Sequence, residues 1–123
     1  MKTPKNVLDR RRSLRVVEKL PFTIGHQNYE IEATTVNISV NGVLCVVKRE
    51  IPLMTQLKVA ITLPSGATGS SKKKIILMKG VVVRKEKDSL KQQHLLAIYF
   101  SEIKPADKKF LKKFIESHLH LVV

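Results

Sequence analysis

Tyr29-Glu30-Ile31-Glu32-Ala33-Thr34-Thr35-Val36-Asn37-Ile38-Ser39-Val40-Asn41-Gly42-Val43-Leu44-Cys45-Val46-Val47 is the stretch that decides the fold class. Tyr29, Ile31, Ala33 and Thr35 alternate with Glu30, Glu32 and Thr34, the period of a strand with one face buried. Asn41-Gly42 is a strong hairpin signal, and the β-branched run Val43–Val47 after it reads as the returning strand. The unit is a β-hairpin, and the residues on both sides extend it.

Toward the N-terminus, Val16, Val17, Leu20, Phe22 and Ile24 read as a first strand beginning near Arg15. Pro21 marks an edge or a bend within it, and Gly25-His26-Gln27-Asn28 reads as the following turn. Toward the C-terminus, Leu57, Val59, Ile61 and Leu63 alternate again. Ile75–Arg84 and Leu95–Phe100 are two more strand candidates, joined by the charged stretch Lys85–Gln93. Five or six strands without intervening helices predict an antiparallel barrel or sandwich. The period changes after Pro105. Phe110, Leu111, Phe114, Ile115 and Leu119 mark one face of a helix, with Lys108, Lys109, Lys112 and Lys113 opposite. Pro105 suits the first turn, and Asp107 complements the helix dipole there.

A chain of 123 residues fits one domain with one core. The hydrophobic share of 43% is globular, and an aromatic share of 5% without Trp leaves the core to Val, Ile and Leu. The formal charge of +13 attracts polyanions without choosing among them. Arginine is more informative than lysine here. Of six arginines, four stand at Arg10, Arg11, Arg12 and Arg15, and a guanidinium can pair bidentately with phosphate or a guanine edge and stack on a base. The N-terminus lacks an apolar h-region, and no apolar run is long enough to cross a bilayer, so a cytoplasmic protein without membrane insertion is expected. Cys45 lies in an apolar run and reads as a buried hydrophobe. His26, His94, His118 and His120 lack metal-ligand spacing, and no nucleophile–base pair or carboxylate pair can be assembled, so catalysis is not expected. The small-residue loop from Pro64 to Ser71 lacks the spacing of a phosphate-binding loop.

Two short patterns remain. Arg11 and Arg15 form R-x-x-x-R before the first strand. Asn37, Ser39 and Gly42 form N-x-S-x-x-G across the hairpin turn. If these ends converge, two guanidinium groups, an amide, a hydroxyl and bare backbone line one pocket. Guanine offers O6 and N7 to an arginine fork, phosphates accept charge-assisted hydrogen bonds from the other arginine and Ser39, and Asn37 can accept from a guanine N–H. Gly42 permits a tight turn and close ligand approach. The set suits a purine nucleotide with phosphate. Each pattern alone is weak, since Ser39 and Asn41-Gly42 need be no more than hairpin chemistry.

Together, and in this order, they resemble the PilZ family. Asp9-Arg10-Arg11-Arg12-Ser13-Leu14-Arg15-Val16 is similar to that family's arginine-rich switch, and Asn37, Ser39 and Gly42 match its [D/N]-x-S-x-x-G motif. Gly80–Val83, Leu96–Phe100 and the helix through Lys109–Ile115 match the family's C-terminal part. The resemblance implies a mainly β fold, a six-stranded antiparallel β-barrel with a C-terminal α-helix, over residues 15–120. It implies a flexible basic switch segment over residues 1–14, and cyclic di-GMP as ligand with no cofactor. Arg11 would contact a guanine, Arg15 a phosphate and base, and Asn37 and Ser39 a guanine and the backbone. Arg10 would add a cation favouring a self-intercalated ligand pair. The expected protein is then a receptor or adaptor that changes shape on binding and regulates an unidentified effector protein in motility, pili or exopolysaccharide output. The alternatives are a basic barrel binding nucleic acid non-specifically, and a PilZ-like adaptor that binds no nucleotide. Against nucleic acid, most aromatic residues sit where a core needs them, and no exposed stacking platform is expected.

Overall fold

The computed structural model describes Val17, residues 20–64 and residues 72–120, with side chains as far as residue 117. Six strands form a closed antiparallel barrel: β1 (Pro21–His26), β2 (Tyr29–Ile38), β3 (Gly42–Val47), β4 (Gln56–Pro64), β5 (Lys73–Asp88) and β6 (Gln93–Ile103). Around the barrel the order is β1-β2-β3-β6-β5-β4, with β4 returning to β1. One helix, α1 (Pro105–His120), follows. The barrel, not the sandwich, is the outcome. The switch segment 1–14 lies outside the described residues, as does the loop from Ser65 to Ser71.

The core is aliphatic. Ile24, Ile38, Cys45, Ile61, Leu63, Ile76, Val82 and Leu96 have no solvent exposure, and Phe22 and Phe100 are buried with them. They come from alternate positions of every strand, as the period-two pattern requires. Helix α1 adds Leu111, Phe114 and Ile115 to the same cluster and half-buries Phe110, while Lys108, Lys109, Lys112 and Lys113 face solvent. The helix starts on Pro105 as expected, and Lys74 of β5 ties down its first turn. The Lys74 ammonium lies 3.6 Å from the Asp107 carboxylate and 5.5 Å from the centre of the Phe110 ring. No helix among the described residues is long and apolar enough to cross a membrane.

Three boundaries differ from the sequence reading. Val17 is exposed and in no strand, and the first strand begins at Pro21. Proline opens the strand here because it needs only one ladder partner: Pro21 pairs with Thr34 of β2, and pairing to β4 starts at Phe22. Gly25 and His26 belong to β1, leaving a two-residue turn in which Gln27 takes a positive φ of 56°. The charged stretch after Arg84 is not a connector. It continues β5 to Asp88, paired residue for residue with β6 from Leu96 to Gln93. Ile51 is fully buried in the segment between β3 and β4, and Met54 is held at a φ of 65° there by donating its N–H to the Val82 carbonyl at 2.7 Å.

Burial pushes the Cys45 thiol from 9.0 up to about 12. The folded state therefore favours the protonated thiol, and this contribution is complete below pH 9 and lost as pH rises through about 12. Above pH 9 the unfolded chain ionises its thiol first, so stability falls with rising pH in that window. We expect iodoacetamide to alkylate Cys45 at least about a hundredfold more slowly in the native protein than in denaturant, because reaction requires opening of the core. Equal rates, followed by mass spectrometry, would contradict this burial.

Candidate functional site

Asn37, Ser39 and Gly42 come together at one hairpin, and a β-bulge in β2 sets their directions. Thr35 pairs with Cys45, and the next pair is Asn37 with Leu44, so Val36 is an extra residue. A regular ladder would put Asn37 opposite Val43 and into the core. The bulge shifts the parity, so Ile38 takes the core position opposite Val43 and Asn37 joins Leu44 on the outer face. Thr35, inside, remains satisfied: it is buried, and its Oγ1 accepts the Leu20 N–H at 2.9 Å. The same bond fixes where the chain enters the barrel, two residues from Asn37.

Ser39 is buried, and its hydroxyl is turned onto its own loop. Oγ accepts the N–H groups of Asn41 at 3.3 Å and Gly42 at 3.2 Å, and lies 3.3 Å from the Gly42 carbonyl to which it can donate. The Ser39 N–H also donates to that carbonyl, at 2.8 Å. The sequence reading gave this hydroxyl a phosphate; in this conformation its partners are backbone. Asn41 anchors the other side of the loop, its carbonyl accepting the Phe100 N–H at 2.8 Å.

Gly42 has a structural role that the sequence reading did not include. Its φ does not lie in the left-handed region, so the turn does not demand glycine. The demand comes from β6: a Cβ at this position would sit 2.5 Å from the Ile98 carbonyl oxygen. Glycine here admits the neighbouring strand. Arg10, Arg11 and Arg15 lie outside the described residues, so their convergence on this hairpin is not part of the observed geometry.

The outer face around the hairpin is apolar. Gly42 pairs with Tyr99, which pairs with Val81, and one step along the strands Leu44 pairs with Ala97. Tyr99 is 52% exposed and Tyr29 is 56% exposed, with the Arg49 guanidinium 4.5 Å from the Tyr29 ring centre. The expectation that no aromatic ring is available for stacking is therefore wrong. β3 and β6 are apolar on both faces, which hides the outward phase of Tyr99 in a plain reading of Leu95–Phe100. The register with Gly42 reveals it. Among the described residues no group of three or more His, Cys, Asp or Glu side chains can hold a metal ion.

A closed six-strand barrel, a terminal helix and an N-x-S-x-x-G hairpin on its outer face define a class, and the family model of the PilZ domain matches residues 9–117. The chain belongs to the PilZ domain family. No curated protein matches it in sequence. Among solved structures it is similar to the Bacillus subtilis inhibitor of motility, MotI/DgrA, with a TM-score of 0.79 and 23% identity over 91% of this chain and 52% of that one. It is similar to Escherichia coli YcgR in complex with c-di-GMP, with a TM-score of 0.69 and 14% identity over 92% of this chain and 47% of that one. The YcgR PilZ domain with c-di-GMP gives a TM-score of 0.62 and 15% identity, covering 92% of this chain and 94% of that one. At these identities the likeness is one of fold. The chain spans about half the length of the first two.

Proposed function

We propose that the protein is a non-catalytic receptor for cyclic di-GMP that acts in the bacterial cytoplasm and passes the signal to a partner protein by changing shape. The observation that carries this reading is Asn37, a polar side chain turned by a bulge onto an apolar outer face in a chain of the PilZ family. Asn37 meets a guanine. Ser39 and Gly42 shape the hairpin beneath it, Ser39 through its loop hydrogen bonds and Gly42 by admitting β6. Arg11 and Arg15 supply the guanidinium groups for guanine and phosphate, and Arg10 adds a third cation. The bond from Leu20 to Thr35 supports this reading. Arg15 lies five steps along the chain before Leu20, and extended chain covers roughly 17 Å over that length, enough to bring Arg15 over the hairpin.

The switch follows from charge. Arg10, Arg11 and Arg12 repel one another, and a dianionic ligand removes the repulsion and draws residues 1–14 across the barrel, making a new surface for the partner. A second reading, non-specific nucleic-acid binding, is favoured by the exposed rings of Tyr29 and Tyr99 together with the formal charge of +13.

Parallel calorimetric titrations with cyclic di-GMP, GTP and single-stranded DNA test both. We expect tight, saturable binding of cyclic di-GMP, much weaker binding of GTP through its single guanine, and none of DNA. Arg11→Ala or Arg15→Ala should each weaken cyclic di-GMP binding about tenfold to a hundredfold, the value of a charge-assisted hydrogen bond of roughly 1.5–3 kcal/mol. Unchanged affinity in both variants removes the arginines from the site. DNA binding that falls steeply with salt, without cyclic di-GMP binding, establishes the second reading instead.

A further inference from the structure

The outer row that begins at Asn37 continues across three more strands. Asn37 pairs with Leu44, Leu44 with Ala97, and Ala97 with Arg84. Both ends of this row are made by bulges. At one end Val36 is the extra residue. At the other, Val82 pairs with Ile98 and Arg84 with Ala97, so Val83 is the extra residue in β5. A regular ladder would place Arg84 opposite Leu96, which is fully buried, and drive a guanidinium into the core. The second bulge therefore does for Arg84 what the first does for Asn37, and both deliver their polar side chain to the same row.

Between the two ends the row is uncharged. Leu44 and Ala97 form a half-buried apolar strip, with the exposed ring of Tyr99 one step along β6 on the same face. Three inter-strand steps of about 4.8 Å separate Asn37 from Arg84, roughly 14 Å along the surface, and the arginine side chain shortens that span. Arg84 is available for a ligand. It is exposed and pairs with no carboxylate among the described residues, whereas Lys74, Lys79 and Lys85 each have one.

We propose that Arg84 is the far end of the nucleotide site, gripping a phosphate or the second guanine of a ligand whose first guanine sits at Asn37 and whose body crosses Leu44 and Ala97. This rests on the reading of the hairpin as a cyclic di-GMP site and extends it to a part of β5 outside both sequence motifs. It gives Arg84 a selective task. A ligand with two bases bridges both ends of the row; a mononucleotide held at Asn37 does not reach Arg84.

Calorimetry on the full chain with cyclic di-GMP and with GMP tests this. Arg84→Ala should weaken cyclic di-GMP binding about tenfold to a hundredfold and leave GMP binding as in the wild type. Arg84→Lys, which keeps the charge but not the fork, should recover part of the loss. Thermal melting should not move, because the side chain is exposed and unpaired. Lys109→Ala on the outer face of α1 removes the same charge elsewhere and should leave cyclic di-GMP affinity unchanged. Wild-type affinity in Arg84→Ala, or an equal loss in Lys109→Ala, overturns the assignment while leaving the site at Asn37 standing. A wild-type protein that binds no cyclic di-GMP overturns the parent reading, and this one with it.

Discussion

Gly42→Ala should destabilise the protein by roughly 3 kcal/mol, a large effect for one added methyl group. The new Cβ would lie 2.5 Å from the carbonyl oxygen of Ile98 and 3.4 Å from its carbon. Those are backbone atoms in the β3–β6 ladder, so no side-chain rotation relieves the contact. Either the hairpin moves off β6 or the ladder from Gly42 to Val47 shifts. Movement of the hairpin breaks the bond from the Phe100 N–H to the Asn41 carbonyl and disturbs the loop that Ser39 organises. Urea denaturation should show a lower midpoint with an unchanged slope, and on the proposed reading cyclic di-GMP affinity should fall in parallel because Asn37 stands on the same hairpin. A loss under about 1 kcal/mol would mean that the two strands do not approach as closely as described.

Ile98→Ala should cost about 2–5 kcal/mol, the usual range for emptying a fully packed aliphatic site. Ile98 is 2% exposed and stands opposite Val43 on one side and Val82 on the other. Its Cγ2 also limits Gly80, where an added Cβ would lie 2.6 Å from that methyl. The two glycines facing β6 should therefore respond differently to the same substitution. In Gly80→Ala with Ile98→Ala, the added methyl enters space that the isoleucine has left, and the pair should be less damaging than the two single effects added by about 1 kcal/mol. The Tyr99 carbonyl, 3.1 Å from the same Cβ, keeps the relief incomplete. With Gly42→Ala no relief is expected, since that clash is with the Ile98 main chain. Equal coupling in both cycles would remove the distinction between side-chain and backbone crowding.

Much of the fold was legible because burial follows period in this chain. The alternation from Ile31 to Thr35, the run Val43–Val47 and the helical stripe through Phe110, Leu111, Phe114 and Ile115 each fell where expected. The boundaries failed for identifiable reasons. Pro21 reads as an interruption, but it opens a strand at a position needing one ladder partner. Lys85–Asp88 reads as a connector because it is charged, and it is strand because β6 offers it a partner at every residue.

The proposed site was half legible. Asn37, Ser39 and Gly42 were singled out by spacing, but spacing could not say that the Ser39 hydroxyl bonds its own loop or that Gly42 yields to β6. Nor does a motif carry parity. Thr35 and Ile38 both face inward three residues apart, an odd step that a regular strand cannot make, and that step was the available signal for a bulge. No comparable signal marked Arg84. Its direction depends on an extra residue at Val83, which only the pairing with β6 discloses.

The length of β5 has a consequence for edge-to-edge strand addition. β4 accompanies β5 only as far as Val81, and the strand runs on to Asp88 with β6 on its other side. From Arg84 onward the flank left uncovered by β4 carries Arg84, Lys85, Glu86, Lys87 and Asp88 without an apolar interruption. A main-chain template so densely ionised is a poor seed for strand addition, because an incoming strand must bring each charge beside its own backbone. The flank of β5 that β4 leaves open can therefore stay unpaired without inviting fibrillar stacking.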